Sequence, residues 1–472
     1  MYIEQLYTGC LAQACYYVES NGEAIIIDPL RDIQPYLNLL ETRGTKLLYV
    51  IETHFHADFV GGHIDLAKET GATILFGPGA TPAYPAYIAS HHEKLVLGDL
   101  VFEILHTPGH TQESICVLLY DQHKPYCIFT GDTLFIGDVG RPDLVQKVKS
   151  DITPEFLAGA LFDSLHQSIL PLPDEVIIYP GHGAGSACGK HMSKETQDIL
   201  GNQKKLNYAL KPELSRTQFI ALVTKGLTEP PAYFPENVLL NIKGSAKDIH
   251  TVLKEGNHAM SPFEVRTYCS SNPSTVVLDT RSKEQFCDSH IPGSLFIGLD
   301  DNFAPWAGTL IPNLNTPLIL VCDYGREVEA IARLSRVGYD NCIGFLQGGL
   351  NEWILAGETY SKINCVDPSE YVQYISDKPH QLLDVRRHNE YEQAHIEHAL
   401  NIPLDYLQKQ LNKLHQLDTY YVHCAGGYRS VIACSILLAK GFPYVVNITG
   451  GFNQLKEQPL PLVKHEVEVI DI

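Results

Sequence analysis

The sequence predicts a multidomain α/β protein, and three observations carry that expectation. Its 472 residues correspond to about three domains at roughly 100–200 residues each. The first 185 or so residues alternate short β-rich runs with polar loops. The second half repeats itself: "VVLDTRSKEQFCDSHIPGSLFIGL" aligns with "QLLDVRRHNEYEQAHIEHALNIPL".

In chain order, "NGEAIIIDP", "KLLYVIETH", "ATILFGP", "LVFEILHTPGH", "YCIFTGD" and "EVIIYPGHG" each read as a strand ending in a polar turn. Histidine or aspartate stands at the end of three of them and one residue before the end of two more, and loop ends over a rigid sheet are where ligands converge. Residues 188 to about 230 read as helical, through "SKETQDILGNQKKLNYAL", and "TEPPAYFPENV" as a proline-rich stop. In the repeat, Asp279 aligns with Asp384 and His290 with His395, both 105 residues apart. Cys322 aligns with Cys424, and Gly349 with Gly451, both 102 apart. A period near 100 residues is too long for a solenoid and indicates two domains of one fold. Strands alternating with helical segments predict a parallel sheet in each copy. The expected domains span 1–245, 260–360 and 366–462, with linkers near 245–262 and 360–368.

Composition narrows the function classes. Apolar residues make up 44% and charged residues 19%, enough for packed cores and too few charges for long disorder. The formal charge of −20 disfavours nucleic acid as a partner. "MYIEQLYTGCLAQACYYVES" has no basic start and no long apolar run, so neither a secretory signal nor a membrane span is expected. Twelve cysteines in this length fit a reducing, cytoplasmic setting.

The chemistry concentrates in "THFHADF", "HTPGH", "TGD" and "YPGHG", which follow one another over about 130 residues. In that order they resemble the metal motifs of the metallo-β-lactamase superfamily, which implies an N-terminal αββα sandwich with metal at one edge. In two-metal members the resemblance would assign His54, His56 and His110 to one ion, Asp58, position 59 and His182 to the other, and Asp132 to a bridge. Position 59 is phenylalanine, which offers no lone pair. The chain more closely resembles the persulfide dioxygenases of that superfamily. This implies one Fe(2+) per chain on His54, His110 and Asp132, a facial triad of two histidines and a carboxylate. His56, Asp58 and His182 then become supporting residues that orient ligands and water. Arg141, in "IGDVGRPDL", is a candidate clamp for an anionic part of the substrate, or else an ion-pair partner of Asp138 or Asp143. Cys188, six residues past His182, is a candidate sulfur carrier or a buried thiol.

The repeats resemble rhodanese domains, which implies two α/β domains, each with a central parallel sheet. "CAGGYRS" at 424–430 curls a loop around Cys424 and aims N–H groups at its sulfur, with Arg429 as a cation for sulfite or thiosulfate. The first copy reads "CDYGREV" and carries Glu327 where the second carries Arg429. Acidic residues there disfavour a thiolate, so this copy is expected to be degenerate, with a structural or docking role.

The resemblance implies oxidation of a low-molecular-weight thiol persulfide by O2 to sulfite. Cys424 would join sulfane sulfur to sulfite as thiosulfate, or run in reverse. The expected assembly is a homo-oligomer. The alternatives are a zinc thioester hydrolase of glyoxalase II type with rhodanese appendages, and a non-enzymatic sulfide sensor. Glutathione, coenzyme A and bacillithiol all stay open as the carrier thiol.

Overall fold

The computed structural model describes residues 1–144, 152–227, 229–311, 313–374 and 380–464. The chain forms two compact units: Met1–Val252 with Ala332–Asp340, and Leu253–Ile331 with Asn341–Ile472.

The first unit contains two six-stranded sheets. One runs Tyr2–Thr8, Gln13–Ser20, Glu23–Ile27, Lys46–Ile51, Thr73–Phe76 and Tyr87–Ile88, each hydrogen-bonded to the next. The other is ordered Asp198–Ile199, Ile177–Pro180, Lys124–Gly131, Ile115–Asp121, Leu100–His106 and Lys94–Leu97. The period-2 alternation of strands explains how the second sheet buries both faces. Ile104, Val117 and Phe129 point inward to Val18, Ile25 and Ile51 of the first sheet. Their neighbours Leu105, Leu118 and Ile128 point outward onto Ala158 and Leu161 of the helix Pro154–Ser164. On the far side, Phe55, Ile74 and Phe76 pack under Ile64, Val238 and Ile242. Helices therefore cover both outer faces, the αββα sandwich.

The region from 188 to 230 is less helical than its composition suggests. It holds a loop, the short strand Asp198–Ile199, and helices Leu200–Leu206 and Arg216–Thr224. Asn207 caps a single 3₁₀ turn between the two helices. "FPENV" does not stop a helix but starts one, Phe234–Lys243. A proline in the first turn lacks only an N–H that has no helical partner there.

The second unit holds two five-stranded parallel sheets. Their orders are Ala259–Met260, Cys342–Leu346, Leu318–Val321, Val276–Asp279, Leu295–Phe296, and Asn364–Val366, Val445–Ile448, Tyr420–His423, Gln381–Asp384, Leu400–Asn401. The repeated residues now have physical roles. Asp279 and Asp384 are buried and grip Arg281 and Arg386 through side-chain hydrogen bonds of 2.6 and 2.5 Å. His290 and His395 hydrogen-bond the carbonyls of Phe286 and Tyr391, both at 2.9 Å, and stack on those same rings. Among the described residues no helix is long and apolar enough to cross a membrane.

Candidate metal centre and cysteine loops

Four strands of the sandwich end at one edge and deliver one cluster. His54 and His56 follow Lys46–Ile51, His110 follows Leu100–His106, Asp132 follows Lys124–Gly131, and His182 follows Ile177–Pro180. All five are buried. Close approach of these loops demands glycine. A Cβ on Gly181 would sit 2.7 Å from Asp132 Oδ1, and one on Gly140 only 1.9 Å from the Asp132 carbonyl oxygen.

His110 Nε2 lies 3.4 Å, and His54 Nε2 3.9 Å, from Asp132 Oδ2. His54 Nε2 and Asp132 Oδ2 are buried with no hydrogen-bond partner. An orphaned nitrogen and oxygen facing one point are costly unless a cation occupies it. The tautomers agree. Thr53 Oγ donates to Asp28 at 2.8 Å, so it accepts from His54 Nδ1 at 2.9 Å and leaves the Nε2 lone pair free. His110 Nδ1 donates to the Arg141 carbonyl at 2.9 Å with the same result. Burial, before any neighbouring charge, lowers the pKa of both histidines and keeps them neutral. Burial pushes the Asp132 carboxyl up, but the surrounding imidazoles outweigh it and hold Asp132 well below the usual range. The residues present fit a metal ion held by two neutral histidines and one carboxylate.

The second metal position of the superfamily is altered. Phe59 is fully buried and its ring stacks on His56 at 4.1 Å. His56 Nε2 lies 3.1 Å from Asp28 and 3.2 Å from Glu52. His182 is clamped by two carboxylates, Asp132 through Nδ1 at 2.8 Å and Asp58 through Nε2 at 2.7 Å. Burial lowers its pKa, yet those carboxylates overcome this and raise it to about 10. Its two ring nitrogens face one carboxylate each, an arrangement that favours the protonated ring. Cys188 joins them: its Sγ and the ligand atoms of Asp58 and His182 all lie within 4.8 Å of one another. Burial, reinforced by Asp58 and Asp132, raises the Cys188 thiol well above its ordinary value.

Arg141 does not stand open as a clamp. Its guanidinium is buried, bidentate to Asp143 at 2.6 and 2.7 Å, and also donates to the Ala187 carbonyl at 3.2 Å. This is the loop-fixing ion pair, and the correction follows from the adjacency of a carboxylate two residues on. A cleft lined by Phe55, Ala57, Gln112, Val238 and Ile242 reaches His110.

In the second unit, Cys424 follows Tyr420–His423, one residue past His423, which pairs with Asp384 in the neighbouring strand. The Gly427 N–H donates to its sulfur at 3.1 Å, and Ser430 Oγ lies 3.7 Å away. Gly427, at φ 97°, caps the helix Tyr428–Ala439. Arg429 is bidentate to Glu390 at 2.6 and 2.8 Å. Cys322 sits at the same place in the first copy, where the Thr280 hydroxyl meets the thiol. Burial pushes Cys322 up to about 12, with Glu327 and Asp279 adding to it. Arg326 is taken by Glu329 at 2.9 Å and Asp300 at 2.8 Å.

Sequence reasoning missed Asp28, Glu52 and Thr53. The available signal was their position at strand ends, "IIIDP" and "IETH", beside the histidines.

A buried histidine–carboxylate site at the edge of a double sandwich, followed by tandem parallel-sheet domains, defines a metal-binding enzyme joined to a repeated module. The model of the metallo-beta-lactamase superfamily matches residues 8–182, and that of the rhodanese-like domain matches 264–356 and 367–458. A probable hydroxyacylglutathione hydrolase of Schizosaccharomyces pombe is 31% identical over 206 residues, 43% of this chain and 73% of that protein. The hydroxyacylglutathione hydrolase of Xanthomonas axonopodis pv. citri is 32% identical over 205 residues, 42% and 73% of the two chains. A solved metallo-beta-lactamase from Staphylococcus aureus is 31% identical, with a TM-score of 0.64, covering 73% of this chain and 98% of that one. The chain belongs to the metallo-beta-lactamase superfamily, with two rhodanese domains following the sandwich.

Proposed function

We propose that this enzyme oxidises a thiol persulfide with O2 at one ferrous ion and transfers sulfane sulfur at Cys424. The observation that supports the reading is the change at position 59: Phe59 offers no ligand and stacks on His56, whose Nε2 faces Asp28 and Glu52. His54, His110 and Asp132 would hold the iron. When bound, iron supplies open coordination positions at which O2 and a persulfide sulfur meet. The overall change balances as RSSH + O2 + H2O → RSH + sulfite + 2 H⁺.

The chain's own residues do the rest. Thr53 and the Arg141 carbonyl orient the two imidazoles, and His182 links Asp58 to Asp132 through its two ring nitrogens. The cleft beside His110 offers an apolar wall of Phe55, Ala57, Val238 and Ile242 to the substrate. Cys188, beside Asp58 and His182, is the candidate carrier of sulfane sulfur. In the second rhodanese domain, a Cys424 persulfide and sulfite give the Cys424 thiolate, thiosulfate and a proton. The Gly427 N–H stabilises the leaving thiolate.

Anaerobic iron loading followed by O2 uptake with a panel of persulfides tests the reading. About one iron per chain and persulfide-dependent uptake are expected. His110→Ala should lose both iron and uptake while leaving sulfur transfer within about twofold. Cys188→Ser should slow oxidation with iron retained.

A second reading, a zinc thioester hydrolase, draws on the names of the relatives and on the surviving Asp58–His182–Cys188 cluster. Two tightly held zinc ions per chain, with thioester hydrolysis, would establish it instead.

A further inference from the structure

Accepting the sulfur-transfer reading of Cys424, we propose that Lys283 of the first rhodanese copy is the cation that draws anionic sulfur donors to the cysteine of the second. Lys283 Nζ lies 3.9 Å from the position a Cβ on Gly427 would take. Gly427 is the residue whose N–H touches the Cys424 sulfur. An ammonium group from one copy therefore stands at the mouth of the other copy's cysteine loop.

Three features argue that this placement serves a ligand. Lys283 opens the helix Lys283–Asp288, behind the capping residue Ser282. A cation in a first helical turn opposes the helix dipole, so helix stability does not account for it. Its nearest carboxylate, Glu284, is 3.9 Å away with a side chain 72% exposed, and Asp301 acts on it from further off. Such a pair in water leaves most of the ammonium charge available. Arg429, the loop's own cation, is by contrast bound by both oxygens of Glu390.

The first copy is also fastened where it can present Lys283. Tyr428 Oη donates to the Gly298 carbonyl at 3.3 Å, and its ring meets Phe296 edge-on at 5.9 Å. The Phe296 N–H donates to Ser435 Oγ at 3.2 Å. Both Tyr428 and Ser435 belong to the helix that begins at the Cys424 loop. The ligand class is a small oxyanion of sulfur, thiosulfate or sulfite, whose charge must approach a loop where Arg429 is already paired with Glu390.

The test compares alkylation of Cys424 in the full chain by iodoacetate, which is anionic, and iodoacetamide, which is neutral, each read at that residue by mass spectrometry. Lys283→Gln should lower the iodoacetate-to-iodoacetamide rate ratio about threefold or more, and Lys283→Arg should restore it. In thiosulfate:cyanide transfer, Lys283→Gln should raise KM for thiosulfate with kcat within about twofold, and weaken the salt dependence of kcat/KM. An unchanged alkylation ratio, or equal slowing by both reagents, overturns the proposal. If the ratio shifts in a chain with no transferase activity, Lys283 stands and the sulfur-transfer reading fails.

Discussion

In both rhodanese copies a cysteine leaves the central strand beside a buried aspartate, Cys322 near Asp279 and Cys424 near Asp384. The aspartate–arginine grip and the histidine stacked on an aromatic ring recur in each. The loops then part. Around Cys424 an N–H reaches the sulfur, and Gly451 lets the last helix approach so closely that a Cβ there would lie 2.4 Å from the Cys424 carbonyl oxygen. Around Cys322 the corresponding contact at Gly349 is a loose 3.7 Å, and the thiol is pushed up to about 12. The difference teaches that the scaffold and the chemistry of this fold are separable. The scaffold rests on buried pairs and stacked rings, while the chemistry rests on a few residues between strand and helix.

The comparison breaks most visibly at the cysteines themselves. Cys424→Ser should lower thiosulfate:cyanide transfer by about 100-fold or more, because the covalent sulfur carrier is gone, and Cys322→Ser should leave it within about twofold. Equal losses would mean that both copies work in one sulfur path. A smaller effect sharpens the contrast. At pH 7 a thiol with a pKa of about 12 is ionised in only about one molecule in 10⁵. Iodoacetamide should therefore label Cys424 before Cys322, although Cys322 is the more exposed at 7% against 1%. The raised pKa fixes the sign of the pH effect: Cys322 labelling should climb about tenfold per pH unit from 7 to 10 with no plateau. A plateau below pH 9 would show that burial and Glu327 do not hold the proton. The smallest effect belongs to Glu327→Arg. It removes one of several causes while burial persists, so the Cys322 labelling rate should rise less than about tenfold, with no transferase activity gained.

Much of this was readable in the sequence because it is local or periodic. Six β-rich runs became strands, and the aligned residues of the repeat occupy matching points of two parallel sheets. The order of "THFHADF", "HTPGH", "TGD" and "YPGHG" brought His54, His110 and Asp132 together, since each motif ends a strand of one sandwich. What stayed hidden depends on partners distant in the chain. Nothing local marks Glu390 as the residue that binds Arg429 from 39 positions away, or Asp28 and Glu52 as the pair facing His56. The helical composition after residue 188 also misled, because tertiary packing set the breaks around Asn207 and the start at Phe234.

Phe59 bears on its neighbours as well as on the ligand count. Its ring lies on an imidazole held near two carboxylates, so position 59 and its surroundings fit one another. A histidine placed there alone meets the His56 ring, which faces Asp28 and Glu52, with His182 still committed to Asp58 and Asp132. Phe59→His should therefore leave metal content near one ion per chain. One substitution does not rebuild a second ion site here, because the side chains around position 59 already hold one another.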